Sequence, residues 1–168
     1  MDPDSGRLVP MEPGDLPQVL DIERASFPDP WRPEHFLHEL RRNPYSRCLC
    51  LRRSDGTVLG YACVWVVEEE LWIQNLAIHP GWRRQGLGGR LLEGLLELGD
   101  REACRVARLD VRPSNHQALQ LYRSRGFHVV GARPGYYGGR EDGWVMARSL
   151  PARGDRPAAV PVEGDRER

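Results

Sequence analysis

Apolar and polar positions along the chain change period several times, and each change marks an element. Leu16, Val19, Leu20 and Ile22 recur at the spacing of one helical face. That helix starts at Gly14-Asp15-Leu16-Pro17, with Asp15 placed to cap it and Pro17 in the first turn, where a missing N–H costs little. Arg7 to Met11 before it reads as a short strand. Phe27-Pro28-Asp29-Pro30-Trp31 breaks the helix, and Pro33 opens a second one carrying Phe36, Leu37 and Leu40. Tyr45 to Arg53 and Thr57 to Val67 read as strands joined at Ser54-Asp55-Gly56, a hairpin signal. Glu68-Glu69-Glu70 marks the next turn, and Leu71 to His79 is a third strand of the meander, ended by Pro80.

A glycine-rich stretch, Arg83 to Gly89, then leads into a helix with Leu91, Leu92, Leu95, Leu96 and Leu98 on its stripe. Val106 to Val111 is a strand. Ser114 is placed to cap a helix through Leu119 and Tyr122 to Arg125, and Gly126 stops it. Phe127 to Ala132 and Trp144 to Arg148 are the last strands, joined by a loop holding Tyr136 and Tyr137. The order β, α, α, three meandering strands, α, β, α, β, β predicts an α/β (α+β) domain over 1–150, with one mixed sheet and helices on both faces. Pro, Gly, Ala and balanced charge dominate 151–168, which predicts a disordered tail.

Composition narrows the partners. Lys+Arg and Asp+Glu each number 24, so no general field draws nucleic acid or an anionic membrane, and neither is expected as a partner. Every basic side chain apart from His is Arg, which reads as coding bias. Cys48, Cys50, Cys63 and Cys104 form no CxxC pair and no cluster with zinc spacing, so no metal is expected. Cys48 and Cys50 alternate on a strand and share a face as small buried hydrophobes. The five histidines show no ligand pattern. No signal peptide and no membrane-length apolar run is seen, which sets a cytoplasmic expectation.

The glycine turn carries the first candidate chemistry. Arg83-Arg84-Gln85-Gly86-Leu87-Gly88-Gly89 lies between a strand and a leucine-rich helix whose first N–H groups have no partner inside the helix. Gly86 and Gly88 let a phosphate approach the main chain. The helix dipole favours negative charge there, and Arg83 and Arg84 add to it. The result is a diphosphate cradle without a Walker lysine; a plain helix-start turn is the structural alternative.

Three ordered motifs decide between these readings. Gln74-Asn75-Leu76-Ala77-Ile78-His79-Pro80 runs into Arg83-x-x-Gly86-x-Gly88. After the next strand come Asp110-Val111-Arg112-Pro113-Ser114-Asn115 and Leu121-Tyr122…Gly126-Phe127. Together they resemble the GNAT superfamily over about Leu8 to Leu150. Within it, Ile22-Glu23…Phe27-Pro28…Trp31, Leu76-Ala77-Ile78, Leu109-Asp110-Val111-Arg112 and Tyr136-Tyr137 ahead of Glu141-Asp142 resemble the ribosomal-protein-alanine N-acetyltransferases.

The resemblance implies a GNAT fold with a mostly antiparallel central sheet, and acetyl-CoA as cosubstrate. It implies as acceptor the N-terminal α-amine of a small-subunit ribosomal protein. It places the pantetheine arm and thioester along Leu76, Ala77 and Ile78, the diphosphate on Arg84, Gln85, Gly86, Leu87, Gly88 and Gly89, and the thiol end near Asn115. By family position Asp110 is the base, where the family usually has Glu, and Tyr122 the general acid that returns a proton to the thiolate. Glu23 and Glu141 stand as groups that share the base's task or attract a cationic acceptor. Phe27, Pro28, Trp31, Tyr136 and Tyr137 wall the acceptor pocket. A structural role is open for each: Asn115 as a helix start, Asp110 as a strand polar residue paired with Arg112, Tyr122 as core, the aromatics as cover for the core edge. Direct transfer in a ternary complex follows, since neither Cys63 nor Cys104 has a spaced His/Asp set for a covalent intermediate. The competing functions are a GNAT acting on a small amine or a protein lysine, and a non-catalytic acyl-CoA-binding module.

Overall fold

The computed structural model describes residues 5–151. The expected tail therefore lies outside the described residues, Pro151 apart. The elements are β1 (Arg7–Pro10), a 3-10 turn (Pro13–Asp15), α1 (Leu16–Ser26), α2 (Pro33–Arg41), β2 (Ser46–Arg52), β3 (Val58–Val67), β4 (Glu70–Ile78), a 3-10 turn (Pro80–Trp82), α3 (Leu87–Arg101), β5 (Val106–Val111), α4 (His116–Ser124), β6 (His128–Tyr137) and β7 (Glu141–Ser149). Seven strands form one sheet in the order β1-β2-β3-β4-β5-β7-β6. Every neighbouring pair is antiparallel except β4 and β5, which α3 connects as a crossover. The expected mixed, mostly antiparallel sheet with helices on both faces is observed.

Two cores lie on the two faces. β3 shows why its sequence looks apolar throughout. Val58, Tyr61 and Cys63 face the α1–α2 side with Val19, Ile22 and Phe36, while Leu59, Ala62 and Val64 face the α3–α4 side with Leu91, Leu92 and Leu95. A strand covered on both faces loses the apolar–polar alternation of a half-exposed one. The stripe of α3 predicted from its leucines is buried at Leu87, Leu91, Leu92, Leu95 and Leu96.

Three local expectations are corrected. Asp15 does not cap α1: its backbone is already helical, at φ −80° and ψ −16°. Because the 3-10 turn runs straight into α1, its carboxylate instead accepts from Glu12 N at 2.9 Å and from Arg52 at 2.6 Å. Asn115, not Ser114, caps α4, its Oδ1 accepting from Ala118 N at 3.2 Å. Tyr136 and Tyr137 sit on β6 rather than in a loop. The chain turns only after them, at Gly138 and Gly139, where φ is 65° and 74°.

Leu95 is fully buried under the sheet. Leu95→Ala is expected to lower the unfolding free energy by about 3 kcal/mol through lost transfer energy and a residual cavity. Urea unfolding checks this: the midpoint falls while the slope stays constant.

Candidate active site

The site begins where β4 and β5 separate. They pair at Glu70↔Val106, Leu71↔Ala107, Trp72↔Arg108 and Ile73↔Leu109, and no further. β4 also bulges at this point: Cys63 faces Asn75 and Val64 faces Ile73, which leaves Gln74 as an extra residue on β4. From Gln74 to Ile78 the edge of β4 toward β5 has no strand partner. β5 beyond Leu109 keeps only β7, with Asp110 opposite Val145.

A cavity of about 510 Å³ occupies this gap. One wall is Gln74, Asn75 and Leu76; the other is Asp110, Val111 and Arg112. α4 contributes Asn115 and Tyr122, the α1–α2 connection Phe27, Pro28 and Trp31, and the β6–β7 hairpin Tyr136 and Tyr137. The structure thus brings ten sequence-derived candidates to one cavity: Glu23, Phe27, Pro28, Trp31, Leu76, Asp110, Asn115, Tyr122, Tyr136 and Tyr137. Ala77, Ile78 and the glycine turn are not among its lining residues. They continue along the same strand, Ala77 facing the α1–α2 core and Ile78 the α3 core.

The glycine turn fits an anionic group. Gly86 precedes α3 at φ 77°, a conformation that disfavours side chains, and a Cβ there would meet nothing within 4 Å. The opening N–H groups of the 15-residue helix that follows have no partner within the helix. Gly88 packs close to Leu121 and Ile78, and Gly89 lies under the Arg125 guanidinium, so these two also serve helix packing. Arg83 is committed to the fold, donating to Ile78 O at 3.0 Å and to Ser26 Oγ at 3.0 Å.

Tyr122 is buried, its ring against Phe127 at 5.7 Å. Burial pushes its phenol above the ordinary range, so the group keeps its proton at neutral pH. Asp110 pairs with Arg133 rather than with Arg112, Oδ1 accepting from Arg133 Nε at 3.0 Å. Arg112 instead lies over the Tyr137 ring at 4.2 Å and near Glu141 at 3.7 Å. Tyr137 is pushed up to about 12, by burial first and then by the Asp110 charge.

Glu23 and Glu141 turn out to be tied down. Glu141 accepts from Ser114 N at 3.0 Å and Ser114 Oγ at 2.9 Å, which pins the β6–β7 hairpin to the turn before α4. Glu23 is 1 % exposed. Its Oε1 accepts from Trp31 N at 3.0 Å, and its Oε2 accepts from Asn75 Nδ2 at 2.7 Å and from the Tyr61 hydroxyl. A carboxylate so enclosed joins α1, β3, β4 and the aromatic connection at one point. Asn75, Tyr61, Arg133 and the pairing of Arg112 were missed from sequence. Only the polar pair Gln74-Asn75 inside an apolar strand carried a signal, and it marks the bulge.

Residues 16–127 match the model of the acetyltransferase (GNAT) family. The chain belongs to that family. This acetyltransferase is 39 % identical over 133 residues to a putative [ribosomal protein bS18]-alanine N-acetyltransferase of Bacillus subtilis, covering 79 % of this chain and 87 % of the relative. It is 35 % identical over 141 residues to the [ribosomal protein bS18]-alanine N-acetyltransferase of Escherichia coli K12, covering 82 % and 93 %. The crystal structure of the Escherichia coli ribosomal-protein-S18-alanine N-acetyltransferase superimposes with a TM-score of 0.79 at 31 % identity, over 91 % of this chain and 99 % of that one. Within the family, the acetyltransferase groups with the ribosomal-protein-alanine enzymes that its motifs resemble.

Removing the Glu23 carboxylate strands three donors. Glu23→Ala is expected to cost about 3 kcal/mol of stability, since a buried network that loses its centre leaves each partner unsatisfied. Guanidinium unfolding of the variant beside the parent measures it; a loss under 1 kcal/mol would mean that Glu23 is an ordinary surface-grade contact.

Proposed function

We propose that the chain transfers the acetyl group of acetyl-CoA to the N-terminal α-amine, on alanine, of a small-subunit ribosomal protein, by direct transfer in a ternary complex. The observation that carries this reading is the cavity at the β4–β5 separation in a chain 35 % identical to an enzyme named for that reaction. On this reading 1–150 is the catalytic domain, and the cytoplasm, where such a substrate is made, is the compartment.

Acetyl-CoA, when bound, supplies an activated acyl thioester. Arg84, Gln85, Gly86, Leu87, Gly88 and Gly89 hold its diphosphate at the α3 N-terminus. Leu76 and Ile78 offer main-chain donors along the unpaired edge of β4, while the N–H of Ala77 between them turns to β3; such a donor aimed at a developing oxyanion is worth about 3 kcal/mol. Asn115 holds the thiol end while capping α4. Asp110 takes the proton of the attacking amine, directly or through water. Its Oδ1 is held by Arg133, which leaves Oδ2 for the amine. Shifted upward by burial, Tyr122 holds the proton that the departing thiolate needs. Phe27, Trp31, Tyr136 and Tyr137 enclose the peptide end. Glu23 and Glu141 act on the acceptor by fixing the loop and hairpin that carry those rings.

The decisive assay is mass spectrometry of a ribosomal-protein peptide beginning with alanine, incubated with enzyme and acetyl-CoA. Acetyl on the α-amine is the expected product. An unmodified peptide, with small amines or lysine side chains turned over instead, would refute the acceptor and leave the family standing. Tyr122→Phe is expected to lower kcat by about 10²-fold or more with acetyl-CoA affinity unchanged. Asp110→Asn should lower kcat/KM near neutral pH by a similar factor. The parent's kcat/KM should fall below the acceptor's own pKa of about 7.7–8.0, where the amine is protonated. Undiminished turnover in either variant would remove that side chain from the mechanism.

A further inference from the structure

The β2–β3 pair carries a second chemical centre, independent of acetyl transfer. Cys48 and Cys63 are direct cross-strand partners, and their sulfurs lie 2.9 Å apart. The ladder's phase at this pair follows from two main-chain bonds. Val66 N donates to Tyr45 O at 2.8 Å, which makes Tyr45/Val66 a hydrogen-bonded pair; three residues along, Cys48/Cys63 is then a non-hydrogen-bonded one. Met11 N donates to Cys48 O at 3.0 Å, on the opposite side of β2, in agreement. Non-hydrogen-bonded pairs hold their Cα atoms about 4.5 Å apart with side chains closest. That separation lies within the roughly 4.4–6.8 Å that a disulfide spans.

The two thiols differ in access and acidity. Cys63 is fully buried, while Cys48 lines a separate groove of about 450 Å³ between β2, α2 and the end of α3. Contact with Cys63 draws the Cys48 thiol below its ordinary range against the opposing effect of its burial, with the Ser46 hydroxyl adding to the lowering and the Glu39 charge opposing it. Burial pushes Cys63 well above it. Cys50, two residues along, is pushed up by burial and then by Asp15, and Cys104 by burial on the other face of the sheet. Cys48 is itself buried but borders the groove, and Cys63 is enclosed behind it with its proton kept.

We propose that Cys48 and Cys63 form an oxidisable dithiol, in which a small hydroperoxide entering this groove is reduced and a disulfide closes between β2 and β3. The Cys48 thiolate attacks one peroxide oxygen and the O–O bond breaks. The leaving oxygen takes up the proton that Cys48 gave up and departs as alcohol or water, and Cys48 becomes a sulfenic acid. The Cys63 sulfur then attacks the Cys48 sulfur. The S–O bond breaks, and hydroxide leaves with the Cys63 proton as water. Two thiols are oxidised by two electrons in total, and the hydroperoxide is reduced by two.

The test uses the full chain, reduced, freed of reductant and exposed to hydrogen peroxide at neutral pH. It is then unfolded in N-ethylmaleimide and digested without reduction for mass spectrometry. The expected result is a linked peptide pair containing Cys48 and Cys63, lost on treatment with dithiothreitol, with Cys50 and Cys104 alkylated. In Cys63→Ser, which lacks the resolving sulfur, dimedone should capture a sulfenic acid at Cys48. Recovery of Cys48 and Cys63 both alkylated would overturn the proposal. So would a bridge through Cys50 or Cys104, or conversion of parent Cys48 to the sulfinic acid with no bridge.

Discussion

Parallel strands that stop pairing halfway along leave a row of main-chain donors and acceptors that something else must satisfy. In this fold that happens at Ile73 and Leu109, the last residues at which β4 and β5 hold each other. The side chains proposed for acetyl transfer are arranged around the opening. The bulge at Gln74 starts it, β7 supports Asp110 from behind, and α4 closes the far end with Asn115 and Tyr122. Free donors lie on the β5-side edge of β4 at Leu76 and Ile78 and again at the N-terminus of α3, separated by a turn in which His79, Gly81 and Trp82 N–H are all bonded. An extended acyl–diphosphate ligand is proposed to bridge the two stretches.

The acceptor side depends on a different interaction. Its walls are two irregular pieces of chain, the connection after α1 and the β6–β7 hairpin, and neither is held by sheet pairing to the other. Glu23 fixes the first by accepting from Trp31 N, Asn75 and Tyr61 together. Glu141 fixes the second through Ser114. By fixing these two pieces, the carboxylates orient the aromatic walls of the proposed acceptor channel.

The sequence made the periodic parts legible. The leucine stripe of α3, the meander β2–β4 and the positive-φ glycine before α3 each have a local cause, so each could be read locally. Asp15 and Ser114 were misread because their side chains found stronger partners far along the chain, Arg52 and Glu141, and left their local capping roles. Tyr136 was placed in a loop after a strand ending at Ala132, whereas β6 runs on to Tyr137 through two register shifts. Asp110 and Tyr122, singled out by family position, both line the cavity. Family position gave no sign of Arg133, whose contact with Asp110 depends on how β6 and β7 cross the end of β5.

Hydrogen exchange of the backbone, with and without acetyl-CoA, tests the central claim most directly. Amides of Leu76 and Ile78 and of Leu87 to Gly89 should exchange quickly in the free protein and become protected together when the ligand is added. Protection elsewhere, with these two segments unchanged at saturating ligand, would contradict it.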